Sequence, residues 1–292
     1  MDGISDVRLQ VEGAPLPTGR PSEHEAMAPG IYGNIAEERY HAGPEISVSA
    51  LKQFRRAPLA AVASENERTR ALHMGDVTHT LLLQPKLFDA KFCVTKLARI
   101  SEREKATQAE MERAAGRELV KEADYDTARR MVDSVRGQSS LIRELLDDEA
   151  LTEQSFYWTD PETGLPCRGR ADVLHPGFRS VVDIKTTEDA TEGAFSRSVA
   201  NYAYNWQEAF YRRGLPLAGG WKPEGFIFLV IEKAPPYLVG IYELDARAVA
   251  LGDDMTQHYL RRWAECARAG VFPGLPADAP ISLDLPAWAY SA

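Results

Sequence analysis

The stretch Cys167–Thr187, CRGRADVLHPGFRSVVDIKTT, constrains the fold more than any other part of the chain. Two runs of strand-forming residues, about Arg168–Leu174 and Ser180–Thr186, flank His175-Pro176-Gly177, whose residues favour a turn. The pattern predicts a hairpin of two strands. Side chains alternate across a strand, so Asp183 and Lys185 project from one face and Ile184 from the other. Two ionic groups directly after Val181-Val182 are costly to bury unless they meet a metal, a substrate or each other. Asp172 stands on the neighbouring strand, and the hairpin can bring it to the same spot.

This D-x10-D-x-K pattern suits metal-assisted phosphodiester hydrolysis. Carboxylates are hard oxygen ligands for Mg²⁺, which keeps several waters and coordinates substrate phosphate. A bound ion lowers the pKa of its water and stabilises charge on the phosphate. A lysine beside the carboxylates can orient the water or neutralise the developing oxyanion. The same spacing also fits a surface hairpin with a solvated Asp–Lys pair, so other stretches must decide.

Three do so. The run RALHMGDVTHTLLL predicts a helix, about Thr69–Gln84, with His79 ahead of three leucines and Pro85 at its end. Asn205–Tyr211, NWQEAFY, places Gln207 and Tyr211 at i and i+4 on one helix face. Ile31–Phe54, IYGNIAEERYHAGPEISVSALKQF, supplies an entry helix that Ser47 or Ser49 can cap. Helical His, GRxD (Gly169–Asp172), DIKT (Asp183–Thr186) and QxxxY occur in this order. In this combination the chain resembles the phage-type recombination exonucleases related to exodeoxyribonuclease VIII, the RecE type, within the PD-(D/E)xK nuclease superfamily. The resemblance covers about residues 30–290.

It implies an α/β fold with a restriction-endonuclease-like core, a mixed central sheet of about five strands flanked by helices. It implies that His79, Asp172 and Asp183 hold Mg²⁺ (or Mn²⁺) with the Ile184 carbonyl, and that Lys185 activates or positions water and stabilises transition-state charge. Gln207 and Tyr211 then line the site and orient the substrate strand. The implied activity is a processive, ATP-independent 5′→3′ exonuclease on double-stranded DNA ends, in phage or prophage recombination. A ring-like homo-oligomer and a single-strand annealing partner belong to the same expectation. An endonuclease or flap nuclease on this fold, and a non-catalytic DNA-end-binding protein, are the rival readings. Glu153 could replace His79 in the metal set, and Arg170, which shares a face with Asp172, could meet a phosphate or carboxylate. Asp76, one turn before His79, could orient its imidazole.

Composition sets the remaining bounds. At 292 residues and 44% hydrophobic, the chain can bury one substantial core. It has no run of about eighteen apolar residues that would span a membrane, and its N-terminus lacks a secretory pattern. Three isolated cysteines, Cys93, Cys167 and Cys266, fit a reducing cytoplasm and cannot supply a four-cysteine iron–sulfur site. The net charge of −9 argues against a protein that coats DNA broadly. Residues 1–45 hold eight acids and three basic residues, so the body is closer to neutral and can still carry a local basic groove.

The expected organisation is a flexible acidic arm over 1–30, a nuclease domain over 31–272 and a Pro-rich tail over 273–292 that contains Trp288. A charged helical insertion occupies about 100–148, where Arg99, Arg103, Lys105 and Arg113 could face DNA. Leu151–Thr159 reads as a strand, Phe226–Glu232 and Tyr237–Leu244 as two more, and Asp245 as the cap of a long helix to about Ala269.

Overall fold

A computed structural model describes residues 18–20, 22, 24–63, 70–101, 104–276, 278–285 and 290, with side chains at 70–72 excepted. Most of the acidic arm, Arg103 and Trp288 lie outside the described residues. The chain opens with β1 (Gly30–Tyr32), α1 (Glu37–Ala42), α2 (Val48–Arg56), α3 (Pro58–Ala63) and α4 (Arg70–Leu83). There follow α5 (Phe88–Lys91), β2 (Phe92–Thr95), α6 (Lys105–Ala114), β3 (Glu118–Lys121), α7 (Glu122–Gln138) and α8 (Ser140–Leu145). The second half runs β4 (Leu151–Thr159), β5 (Pro166–His175), β6 (Ser180–Thr187), α9 (Glu192–Tyr202), α10 (Tyr204–Gly219), β7 (Gly225–Glu232), β8 (Val239–Tyr242) and α11 (Ala246–Ala269).

The central sheet has the order β1-β4-β5-β6-β7-β8, and only the β6–β7 pair in it is parallel. It is therefore mixed, as expected, with six strands rather than about five. The insertion departs from expectation in one respect. It contributes β3, which pairs in parallel with β2 because Leu119 and Val120 face the interior and Cys93 and Val94 lie opposite them. Charge density on the neighbouring helices masks these few strand residues in the sequence.

Each sheet face has its own apolar layer. On one, Ala171, Val181, Phe226 and Phe228 pack beneath α2, α10 and α11 with Trp158, Phe210 and Trp263. On the other, Val173, Val182, Ile184 and Leu229 meet Leu82 of α4 and Met131, Val132 and Val135 of α7. The alternation of Val181 and Val182 between the layers is the period-2 pattern of a strand covered on both sides. Ser47 caps α2 by accepting from the Ala50 N–H, and Asp245 caps α11 by accepting from the Ala248 N–H.

Helix α10 lies very close to its neighbours. A side chain at Gly214 would place its Cβ 2.6 Å from the Trp158 ring, and one at Gly252 of α11 would strike the Asn205 carbonyl. Asn205 Nδ2 also donates to the Ala248 carbonyl at 3.1 Å. These contacts hold α10 against β4 and α11. In the tail, Leu59 N donates to the Pro273 carbonyl, and beyond it Ile281, Leu283 and Leu285 are exposed.

Candidate active site

The site forms where β5 and β6 part. Their ladder contains only three pairs, His175–Ser180, Leu174–Val181 and Val173–Val182. Beyond Val173 the backbones diverge, and the Asp172 side chain bridges the gap by accepting the Ile184 N–H at 2.7 Å. The freed edge of β5 is taken by Ile46, which exchanges backbone hydrogen bonds with Pro166 and Arg168. The fork thus leaves few backbone groups unpaired while opening space between two aspartates.

Three side chains converge on the open side of the fork. Donor atoms of His79, Glu153 and Asp172 all lie within 4.8 Å of one another. His79 arrives from α4, which approaches β6 at Gly75; a Cβ there would rest 3.9 Å from the Thr186 hydroxyl. Its Nε2 is 3.1 Å from the Ile184 carbonyl and its Nδ1 is 3.7 Å from Asp172 Oδ2. A proton on Nε2, donated to that carbonyl, leaves the Nδ1 lone pair facing the carboxylates. Glu153 comes from β4, where the pairs Thr152–Val173 and Gln154–Ala171 bracket it opposite Asp172. Its backbone has φ 52°, a left-handed conformation unusual for this residue type inside a strand. Burial, and then the Asp172 charge, push the Glu153 carboxyl up to about 7. Two carboxylates and an imidazole held this close are a donor set that a divalent cation fits.

The other side of the fork is closed on itself. Asp183 is 1% exposed. Its Oδ1 accepts from Gln207 Nε2 at 2.5 Å, and Lys185 Nζ lies 2.5 Å from its Oδ2. Lys185 also donates to Gln207 Oε1 at 3.1 Å, so the three side chains form a triangle. Burial raises the Asp183 carboxyl against the pull of Lys185. For Lys185, burial is outweighed by Asp183 and Asp172, and the ammonium is held above its ordinary range. The neighbouring carboxylates thus favour the ammonium form of Lys185. Its Nζ sits 4.8 Å from the centre of the Tyr204 ring.

A family model described as a PDDEXK-like domain of unknown function (DUF3799) matches residues 47–278. The chain belongs to this family. Among solved structures, it is similar to the "Putative exonuclease" from Eubacterium rectale, with 13% identity over 89% of this chain and 99% of that one and a TM-score of 0.55. At that identity the likeness concerns the fold. A second structure, SSO0001, aligns over 63% of this chain and 86% of that one at 18% identity with a TM-score of 0.26, too low to carry an argument. No curated protein matches. The PD-(D/E)xK core and the mixed sheet between helices stand on the family match and the structural likeness together.

Within this family member, the expected residues gather unevenly. His79 and Asp172 meet, and Glu153 lies with them. Asp183 lies beside that cluster but spends its oxygens on Lys185 and Gln207. The Ile184 carbonyl faces His79 Nε2, an orienting role for the imidazole, and the Asp76 charge is among those that raise His73, after its hydrogen bond to Glu118. Tyr211 lies close enough to the site that, after burial, the Asp183 and Asp172 charges help to raise its hydroxyl. It is buried, and its hydroxyl donates to the Arg170 carbonyl at 2.7 Å, anchoring β5 two residues before Asp172. Arg170 is likewise committed, to Ser155 Oγ and the Ile35 carbonyl, with its guanidinium over Tyr40. A buried donor must find some acceptor, and these two find protein oxygens.

Two neighbours of the site had no sequence signal. Tyr204 opens α10 beside Lys185. Lys52 of α2 places Nζ 5.6 Å from the centre of the same ring. Burial, together with the Lys185 charge, pulls Lys52 down to about 8.

Proposed function

We propose that this protein is a divalent-metal-dependent deoxyribonuclease of the RecE type, an exonuclease acting on double-stranded DNA ends. The observation that carries the reading is the convergence of His79, Glu153 and Asp172 next to the Asp183–Lys185–Gln207 triangle. A cation-binding donor set and a fixed ammonium at one fork are what phosphodiester hydrolysis needs.

His79, Glu153 and Asp172 would hold Mg²⁺ or Mn²⁺, with Asp183 and the Ile184 carbonyl adjoining. Such an ion supplies an activated water and positive charge against the phosphate. Lys185 presents a protonated Nζ to the phosphoryl oxygens as negative charge develops there, and Asp183 keeps that ammonium charged and aimed. Gln207 fixes both by donating to one and accepting from the other. Tyr211 serves indirectly by anchoring β5. The 5′→3′ polarity, independence from ATP, role in phage recombination, ring-like homo-oligomer and single-strand annealing partner rest on the motif resemblance.

Digestion of end-labelled linear duplex DNA tests the reading. Mg²⁺-dependent shortening from the ends, lost in EDTA and in Lys185→Ala, is the expected result; separate labels on the two ends read the polarity. Cutting of covalently closed circles would replace the exonuclease by an endonuclease. Binding without cleavage under every metal condition would leave only an end-binding role.

A further inference from the structure

The Lys185–Tyr204 contact continues outward. Tyr204 stacks on Tyr202 with ring centroids 5.7 Å apart and planes 29° from parallel. Tyr202 ends α9 and is 61% exposed, so one face of its ring is available to solvent. Between the two tyrosines stands Ala203, a left-handed non-glycine residue at φ 52° and only 4% exposed. That turn directs both rings to the same side of the α9–α10 junction. On the other flank, α2 carries Lys52 over Tyr204 and Arg55 over the Trp206 ring, the latter at 5.6 Å. α2 contains no acid, and among the described residues no carboxylate lies within ion-pair distance of Lys52.

An exposed, pre-stacked aromatic ring beside Lys52, which makes no ion pair among the described residues, and leading in to the Lys185 ammonium is the composition of a strand-binding surface. Bases out of the duplex stack on aromatic faces, and cations alongside neutralise the phosphates. A fully paired duplex offers only its terminal base pair to such a ring, whereas an unpaired strand offers successive bases. The overall charge of −9 makes the local basic character of α2 the more specific, since the protein as a whole repels DNA.

We infer that Tyr202, Tyr204 and Lys52 form a track that takes an unpaired nucleic-acid strand at the mouth of the active site, Tyr202 stacking on a base and Lys52 holding a phosphate next to the one cleaved. This inference rests on the nuclease reading for its direction and adds the state of the strand that the site receives.

Fluorescence anisotropy in EDTA, where nothing is cut, tests it with labelled oligothymidylate of twelve nucleotides and with a blunt duplex. Tyr202→Ala should weaken oligothymidylate binding about tenfold, while Tyr202→Phe retains wild-type affinity because stacking needs the ring and not the hydroxyl. Lys52→Ala should weaken it several-fold and lower the salt slope by about one phosphate contact. Thermal melting of each variant excludes misfolding as the cause. Unchanged affinity in Tyr202→Ala, or an equal loss on the blunt duplex, overturns the track. If the wild type fails to bind the oligonucleotide but still degrades linear duplex with Mg²⁺, the track is wrong and the nuclease reading survives. If it neither binds nor degrades any DNA, the nuclease reading itself falls.

Discussion

The two sides of the β5–β6 fork use similar residues in opposite ways. On the open side, His79, Glu153 and Asp172 are half-buried, bring two carboxylates together and have no cationic side chain among them. On the closed side, Asp183 is buried, and its oxygens are taken by Lys185 and Gln207. Like charges held together in a partly desolvated place are unfavourable until a cation arrives, and that marks a binding site. A buried acid paired with a lysine is compensated internally, and that marks a fixed charge held for later use. On the proposed reading the open half is the one that takes a cation, and the closed half is organised by its own pairing.

The strongest way to break this comparison is Asp172, which serves both halves by facing His79 and accepting the Ile184 N–H. Asp172→Asn should lower cleavage by at least about 10³-fold and abolish the rise in Tm expected of the wild type with Mn²⁺. Retention of that rise would separate the cation from this aspartate.

Lys185→Ala comes next. It should cost about 10²–10³-fold in cleavage, the scale of one lost charge-stabilising donor, yet keep the metal-induced rise in Tm. Loss of the rise would mean that the halves are not independent. Because the change leaves Asp183 buried beside Asp172, metal-free stability should also fall by about 3 kcal/mol, and Asp183→Asn in the same chain should restore much of it.

Glu153 sharpens the comparison through pH. Its folded pKa is raised from 4.5 to about 7, so its contribution to metal-free stability is present below pH 4.5 and is lost as pH rises through 7. The Glu153→Gln protein should therefore be more stable than wild type at pH 8 without metal, by about 1–3 kcal/mol after allowing for partial exposure, and similar to it near pH 4.5. Denaturant melts at the two pH values check this. Adding Mg²⁺ at pH 8 should reverse the order, and a variant that gained equally from Mg²⁺ would remove Glu153 from the ligand set. The smallest effect belongs to Gln207→Ala, about tenfold in cleavage, because Lys185 and Asp183 still hold each other when the amide is gone.

Much of this was legible in the chain because it is local. Strand alternation put Asp183 and Lys185 on one face, and their ionic groups are in contact. Helical spacing put Gln207 on the face of α10 that meets β6, and the caps at Ser47 and Asp245 bound their helices as read. The i, i+4 rule set Tyr211 on the same side of α10 but could not say that its hydroxyl would donate to the Arg170 carbonyl.

What tertiary structure alone decided is cross-strand and interhelical. Glu153 became a partner of Asp172 through the β4–β5 register and a left-handed backbone, neither of which its neighbours in sequence prescribe. Lys52 reached Lys185 and Tyr204 only because α2 packs beside α10, more than a hundred residues away along the chain. The periods of helix and strand are properties of the local backbone, so sequence carries them openly. Register and helix placement depend on how whole apolar faces fit together, and so the way His79, Glu153 and Asp172 come together was decided only in three dimensions.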